Sequence, residues 1–284
     1  MFSIIIPTLN NLKYLKFCIN SINKTSKYNN EILVHVSEDE NNFIREYLKS
    51  KDIEFTYTSK NVGLCTAINL IAKKASNEYL IYSHDDMYFC PNWEKPLIDE
   101  INSLSHKKFY ISGSMIEKNS GHIKYDCGDT LENFDEIKLL NNLKHLNIKD
   151  HQGSHFAPHC VHKEIWNKVG GFSEEFNPGI GSDPDFNMKL WCEGVRIFKG
   201  LNEFKVYHFG SLTTRKNKKV VQNRGDITFL KKWGITTKFF KKFYLRSKTT
   251  YFGPLPEPKK NFLFYFHLIK CKIQFLYSIV FISK

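Results

Sequence analysis

No Cys-x-x-Cys pair occurs in the 284 residues, and the seven cysteines are odd in number. The spacing of a structural zinc site is therefore missing, a disulfide framework is not expected, and a reducing compartment fits best. Acid is scarce in one part of the chain. Residues 205–284 carry 18 Lys and Arg against 2 Asp and Glu, or +16, while residues 1–204 carry 23 against 27, or −4. The net charge of +12 thus belongs to the C-terminal portion. Met1 is followed by Phe2-Ser3-Ile4-Ile5-Ile6-Pro7, which has no basic leader and is too short for a signal core. It reads as a first strand, and a cytoplasmic chain is expected. No internal repeat is visible. What is present is 42% hydrophobic residues, enough for one large α/β domain with an appendage and too much for a disordered protein.

The first third alternates strand and helix signals. Phe2–Ile6 is a β-branched run closed by Pro7, and Leu12, Leu15, Ile19 and Ile22 mark one face of a helix. Strands are expected at Ile32–Val36, Glu54–Thr58 and Tyr79–Ser83, and helices at Phe43–Lys49 and Leu64–Ala75. This alternation predicts a mostly parallel sheet covered on both faces. Further on, Trp93–Leu104 reads as a helix and Phe109–Ser114 as a strand. Residues 117–155 read as a long polar excursion with a period only at Leu139–Leu146. Glu164–Val169 and Asp185–Glu193 read as helices, and Val195–Phe198 and Phe204–His208 as closing strands. A tail is expected from about Lys216.

Carboxylates gather where such a sheet binds ligands, at the carboxyl ends of its strands. Tyr79–Ser83 runs straight into His84-Asp85-Asp86, and a Gly/Pro-rich stretch from Gly170 leads to Gly181-Ser182-Asp183-Pro184-Asp185. One cleft with oxygen ligands for a divalent cation, and a separate carboxylate free to act as base, would suit sugar transfer from a nucleotide.

Five stretches in order resemble glycosyltransferase family 2, whose members have the GT-A fold: Ser3–Asn10, Asn61-Val62-Gly63-Leu64 with Asn69, His84-Asp85-Asp86, Gly170-Gly171-Phe172 and Val206-Tyr207-His208-Phe209. The resemblance covers roughly residues 2–210. It implies a Rossmann-like catalytic domain, residues 1–215, and the charge distribution adds a basic helical extension, residues 216–284. It also implies a nucleotide-diphosphate sugar donor, commonly a UDP-sugar, and a saccharide or lipid-linked acceptor in polysaccharide biosynthesis. Pro7, Thr8 and Asn10 after the first strand, Ser37 and Glu38 after the second, and Asn61 and Gly63 before the next helix would surround base and ribose. His84-Asp85-Asp86 stands where the family has Asp-x-Asp, with His84 in the first position. Asp86 and His208 are then the implied ligands of Mn²⁺ or Mg²⁺, with His84 and Asp85 beside the donor. Gly181-Ser182-Asp183 matches the family's Glu-Asp loop with Ser182 for the glutamate, making Asp183 the implied base of an inverting transfer.

Plainer readings stand beside these. Pro7, Asn10 and Asn61 also serve as loop punctuation, Asp85-Asp86 as a helix cap, and Asp183 and Asp185 as residues of a helix start. His151, His155, His159 and His162 with Cys160 invite a zinc reading, which Gly153 and Pro158 weaken. The basic tail suits anionic lipid better than nucleic acid, because Phe239–Arg246 and Phe262–Phe266 mix aromatics with lysine or follow it. The alternative is a solvated basic face over buried aromatics. His267, Lys270, Lys272 and Gln274 interrupt residues 262–282, so an interfacial or packed helix, peripheral at the inner membrane face, is expected rather than a span. A nucleotidyltransferase would want glycine and lysine after the first strand, where Pro7-Thr8-Leu9-Asn10-Asn11 has neither. A nucleic-acid-binding protein leaves the acids unexplained and is not expected. A catalytically impaired nucleotide-sugar-binding protein remains an alternative, given His84 and Ser182.

Overall fold

The computed structural model describes residues 1–210 and 224–282. The expected start of the tail at Lys216, and the expected domain boundary at 215/216, lie outside the described residues. The alternating N-terminal signals become a parallel half-sheet, β3-β2-β1-β4, built from β1 (Phe2–Leu9), β2 (Glu31–Ser37), β3 (Glu54–Thr58) and β4 (Tyr79–Tyr82). Its connections are α1 (Leu12–Thr25), α2 (Phe43–Ser50) and α3 (Leu64–Ala72). On α1, Leu15, Cys18, Ile19 and Ile22 are at most 1% exposed. Burying each of the aliphatic three contributes about 1.5–3 kcal/mol.

The remaining elements are β5 (Met87–Phe89), α4 (Glu94–Ser103), β6 (Phe109–Glu117), β7 (Ile123–Lys124), α5 (Glu136–Asn142), β8 (His151–Gln152), β9 (His159–His162), α6 (Lys163–Val169), α7 (Ser182–Cys192), β10 (Ile197–His208), α8 (Gly225–Trp233), α9 (Thr237–Phe239) and α10 (Phe262–Ile282). α9 runs into a π-type turn, Phe240–Tyr244. The whole sheet is ordered β3-β2-β1-β4-β9-β6-β10-β5, with β7 on β6 and β8 on β10. It is the mostly parallel, helix-flanked α/β sheet expected. β9 enters antiparallel to both neighbours, and β5 pairs antiparallel with β10.

Several boundaries differ from expectation. β1 does not close at Pro7 but continues to Leu9, so Pro7 and Thr8 lie inside the strand rather than after it. Ile5 O accepts from Ser83 N on the β4 side, and alternation turns Pro7 to that same side, where β4 has already ended. The missing Pro7 N–H therefore costs no ladder bond. The two expected closing strands are one, β10, with its register shifted between Gly200 and Lys205. β9 carries a histidine at each end and reads as polar in sequence, yet all four of its residues are buried.

Residues 224–282 share the main core. Phe229, Phe239, Phe240, Leu245, Leu255 and Phe264 belong to the same apolar cluster as the sheet. Gly225 lets α8 approach the Ile180–Gly181 backbone, since a Cβ there would sit 1.7 Å from Ile180 O. α10 is different. Phe262, Ile269, Ile273, Leu276 and Val280 are each at least 60% exposed, and the helix is long and apolar enough to cross a membrane by length and composition.

Candidate active site at the strand ends

Three strands fix a histidine–carboxylate cluster. β10 runs parallel to β6 with Tyr207 opposite Ile116, so His208 and Glu117 emerge together from the two carboxyl ends. β5 runs back along β10 with His208 opposite Met87. Asp86, just before Met87, is thus set beside the imidazole, and Phe209 N donates to its carbonyl at 3.2 Å. His208 Nδ1 lies 2.5 Å from Glu117 Oε1, and His208 Nε2 lies 3.3 Å from Asp86 Oδ1. His84 Nδ1 stands 3.9 Å from the same Asp86 oxygen.

His84, Asp86 and His208 each offer a ligand atom within 4.8 Å of one another. His208 Nε2 is buried and without a hydrogen bond of good geometry. This is the arrangement of a metal-ligating histidine, in which a carboxylate orients one ring nitrogen and leaves the other for the ion. Burial holds the half-buried His84 down at about 4, against the pull of Asp86, so its lone pair is free near neutrality. Burial also opposes charge on His208, but Asp86 and Glu117 outweigh it and hold the imidazole up at about 10. Two carboxylates thus stabilise positive charge where a cation would sit. The donor set of two imidazoles and a carboxylate fits Mn²⁺ better than Mg²⁺, which prefers oxygen.

Asp85 turns elsewhere. Thr8 Oγ1 donates to its carboxylate at 2.6 Å, deep under the end of β1. Burial and the adjoining Asp86 push the Asp85 carboxyl up to about 7. The sequence placed both His84 and Asp85 beside the donor; the structure brings His84, not Asp85, into the cluster with Asp86 and His208.

The other residues expected around a donor meet at the ends of β1, β2 and β3. Asn10 and Glu38 both have left-handed backbones, φ 49° and 52°, a strain that persists where the surroundings over-determine it. Glu38 Oε1 accepts from Asn61 N at 3.1 Å, and its other oxygen lies 3.5 Å from Asn10 Nδ2, so one carboxylate ties two loops. Asn61 Oδ1 accepts from Gly63 N at 2.9 Å. Gly63 has φ +81°, and a Cβ there would meet Asn177 at 2.4 Å, so the turn admits no side chain. Ser37 is buried at the end of β2 opposite Leu9.

Asp183 and Asp185 share the first turn of α7 and differ completely. Asp185 is fully buried and saturated: Ser173 Oγ donates to it at 2.6 Å, Trp233 Nε1 at 2.8 Å, and Lys232 Nζ stands 3.0 Å away. It fastens α8 to the sheet domain. The Asp183 carboxylate has no hydrogen bond or ion pair among the described residues. Its enclosure pushes it up to about 7, with Lys241 pulling the other way. Tyr82 links it to the histidine cluster. The Tyr82 ring lies 5.4 Å from that of His84, and burial together with Asp183, Cys65 and Asp86 raises its phenol well above 10. Its hydroxyl is buried without a partner.

Sequence reasoning missed Glu117, Tyr82 and Lys241. Glu117 was hidden because the strand was ended at Ser114, three residues short of the carboxylate that lies at its carboxyl end. The four histidines of the zinc reading do not form a ligand set among the described residues. His162 caps α6 by accepting from Glu164 N, and His159 Nδ1 bonds the Tyr110 hydroxyl at 3.0 Å.

The model of the family described as "Glycosyl transferase family 2" matches residues 3–160, more than half of the chain. The chain belongs to glycosyl transferase family 2. An uncharacterized glycosyltransferase of Rickettsia conorii is 31% identical over 142 residues, 48% of this chain and 23% of that protein. One of Rickettsia felis is 28% identical over 202 residues, 69% of this chain and 31% of that protein. The chain therefore spans a third or less of the curated relatives it matches. Among solved structures, GalNAc-T7 with UDP, GalNAc and Mn²⁺ aligns with a TM-score of 0.61 at 15% identity, covering 98% of this chain and 57% of the other. The 1–349 fragment of S. aureus TarS in complex with UDP-GlcNAc aligns with a TM-score of 0.57 at 14% identity, covering 98% and 73%. At these identities the likeness shows the fold. It is the GT-A fold expected of glycosyl transferase family 2.

Proposed function

We propose that this chain transfers a sugar, with inversion, from a nucleotide-diphosphate sugar to a saccharide or lipid-linked acceptor, with a divalent cation as cofactor. The observation that carries the reading is the pairing of two unlike sites, one at the strand ends and one in the first turn of α7. One is a His84–Asp86–His208 cluster poised for a cation, and the other is an unpartnered carboxylate, Asp183, poised near neutral pH. UDP is the nucleotide favoured by the solved relatives crystallised with UDP and UDP-GlcNAc.

Mn²⁺ held by His84, Asp86 and His208 would neutralise the diphosphate as it leaves. Glu117 keeps the His208 ring oriented with its Nε2 toward the ligand position. Asn10, Glu38 and Asn61 hold the nucleoside end of the donor at the β1–β3 loops. Asp183 takes the proton from the acceptor hydroxyl as that oxygen attacks the anomeric carbon opposite the departing nucleotide.

The exposed aromatic and aliphatic faces of α10, following the basic segment, support peripheral contact with an anionic membrane surface on the cytoplasmic side. Cosedimentation with anionic vesicles, lost on replacing Phe262, Phe266 and Ile269 by Ser, tests that point. The enzymatic reading is tested by turnover with a panel of UDP-, GDP-, dTDP- and CMP-sugars with and without Mn²⁺. Metal-dependent release of one nucleotide is expected, and failure of every donor to bind or turn over would overturn the reading.

A further inference from the structure

The π-type turn Phe240–Tyr244 packs on α7, the helix of Asp183, and supplies two lysines to a cleft of about 1400 Å³. Its cations are Lys149, Lys238, Lys241, Lys242, Arg246 and Lys248, and no carboxylate lines it. Among the described residues none of the six pairs with an acid. Cations gathered without counter-charge repel one another, and their summed field draws in an anion.

A second observation shows what kind of anion. His155 lines the cleft and is 6% exposed. Its Nδ1 bonds Gly153 O at 3.1 Å, while its Nε2 is buried without a partner. Burial holds this ring neutral, so with the proton on Nδ1 its Nε2 is a vacant acceptor suited to a hydroxyl. Gln152, also on the wall and fully buried, leaves Nε2 as an unpaired donor. Phe156 packs against His155 with ring centroids 4.0 Å apart and planes tilted by 36°, and it stays 38% exposed. An apolar ring face, a hydroxyl acceptor and an amide donor suit a sugar, and the cations suit phosphate oxygens. None of the residues at the β1–β3 ends lines this cleft.

Resting on the glycosyltransferase reading, we infer that the cleft is the acceptor subsite and that it takes a phosphate-bearing saccharide, either a lipid-linked sugar diphosphate or a soluble phosphodiester glycan. The sugar lies on Phe156 and His155 with its phosphate among the lysines, and the attacking hydroxyl reaches toward Asp183.

Calorimetric titration of the full chain tests this. The probes are farnesyl-diphospho-N-acetylglucosamine, a phosphodiester-linked trisaccharide, the same trisaccharide without phosphate, and a 12-nucleotide RNA, each with and without saturating UDP. At least one phosphate-bearing saccharide is expected to bind more tightly than the neutral one, with affinity falling as salt rises. The tighter of the two names the source. The Lys238→Glu/Lys248→Glu variant should weaken that binding about tenfold and leave UDP affinity unchanged. Lys238→Gln/Lys248→Gln gives the smaller loss if charge reversal lowers Tm. Equal affinity for the neutral trisaccharide, tighter binding of RNA, or displacement by UDP would each overturn the inference. Loss of UDP binding with the cleft still occupied would sink the glycosyltransferase reading alone.

Discussion

The strand-end basin and the basic cleft are opposite solutions to one electrostatic problem. In the basin, Asp86 and Glu117 flank His208 while Asp85 lies under the end of β1 and Asp183 in the first turn of α7, and the carboxyls of Asp85 and Asp183 are held up at about 7. In the cleft, six cations meet without a carboxylate on the wall. Each region is unfavourable alone and complementary to a different charge: in the reading proposed above, a cation with its diphosphate in one and an anionic acceptor in the other. Lys241 joins them, lining the cleft while acting on Asp183. The uneven charge of the chain shows here: the four acids of the basin all lie in the −4 portion, and five of the six cleft cations lie in the +16 portion.

The strongest way to break this comparison is to remove the base. Asp183→Asn should lower kcat by roughly 10²–10⁴-fold with UDP affinity retained. Unchanged turnover would place the base elsewhere. Removing the cation site comes next. Asp86→Ala or His208→Ala should abolish Mn²⁺ activation and cost roughly 10²-fold in kcat/KM, whereas Glu117→Gln should weaken Mn²⁺ binding by about 10–100-fold with turnover recovered at high metal.

Asp185 separates chemistry from structure on the same helical turn. Asp185→Asn should cost about 3 kcal/mol of stability, read as a lower Tm, with kcat near wild type in protein that remains folded. The reverse pattern would mean that the two acids have been assigned the wrong way round.

The smallest effects are in pH. With Asp183 as the proposed base, activity should rise through about pH 7, and Lys241→Met should move that limb upward. The sign for stability is opposite. A carboxyl raised above its unfolded value keeps its proton in the folded state, so its stabilising contribution is lost as pH climbs from about 4 to about 7. Asp183→Asn should therefore raise Tm at pH 8 and leave it unchanged near pH 4.

Much of this was legible in the sequence because parallel strands buried on both faces write continuous apolar runs. Phe2–Ile6, Ile32–Val36 and Tyr79–Ser83 stood out, and the carboxylates that follow such runs stood out with them. β9 was not legible because His159 and His162 are polar in type and buried in fact, through partners distant in sequence such as Tyr110. Glu117 and the cleft were hidden for the same reason. Neither has a local signature; Glu117 matters only because β6 and β10 lie in register, and the lysines of 238–248 matter only because the π-type turn folds back onto α7.

The most direct test is Mn²⁺ binding followed by electron paramagnetic resonance, with and without UDP, in the wild-type chain and the Asp86→Ala/His208→Ala variant. A single bound Mn²⁺ whose affinity rises with UDP, and which is lost in the variant, is the predicted result. Mn²⁺ binding that ignores UDP, or that survives the double substitution, would contradict it.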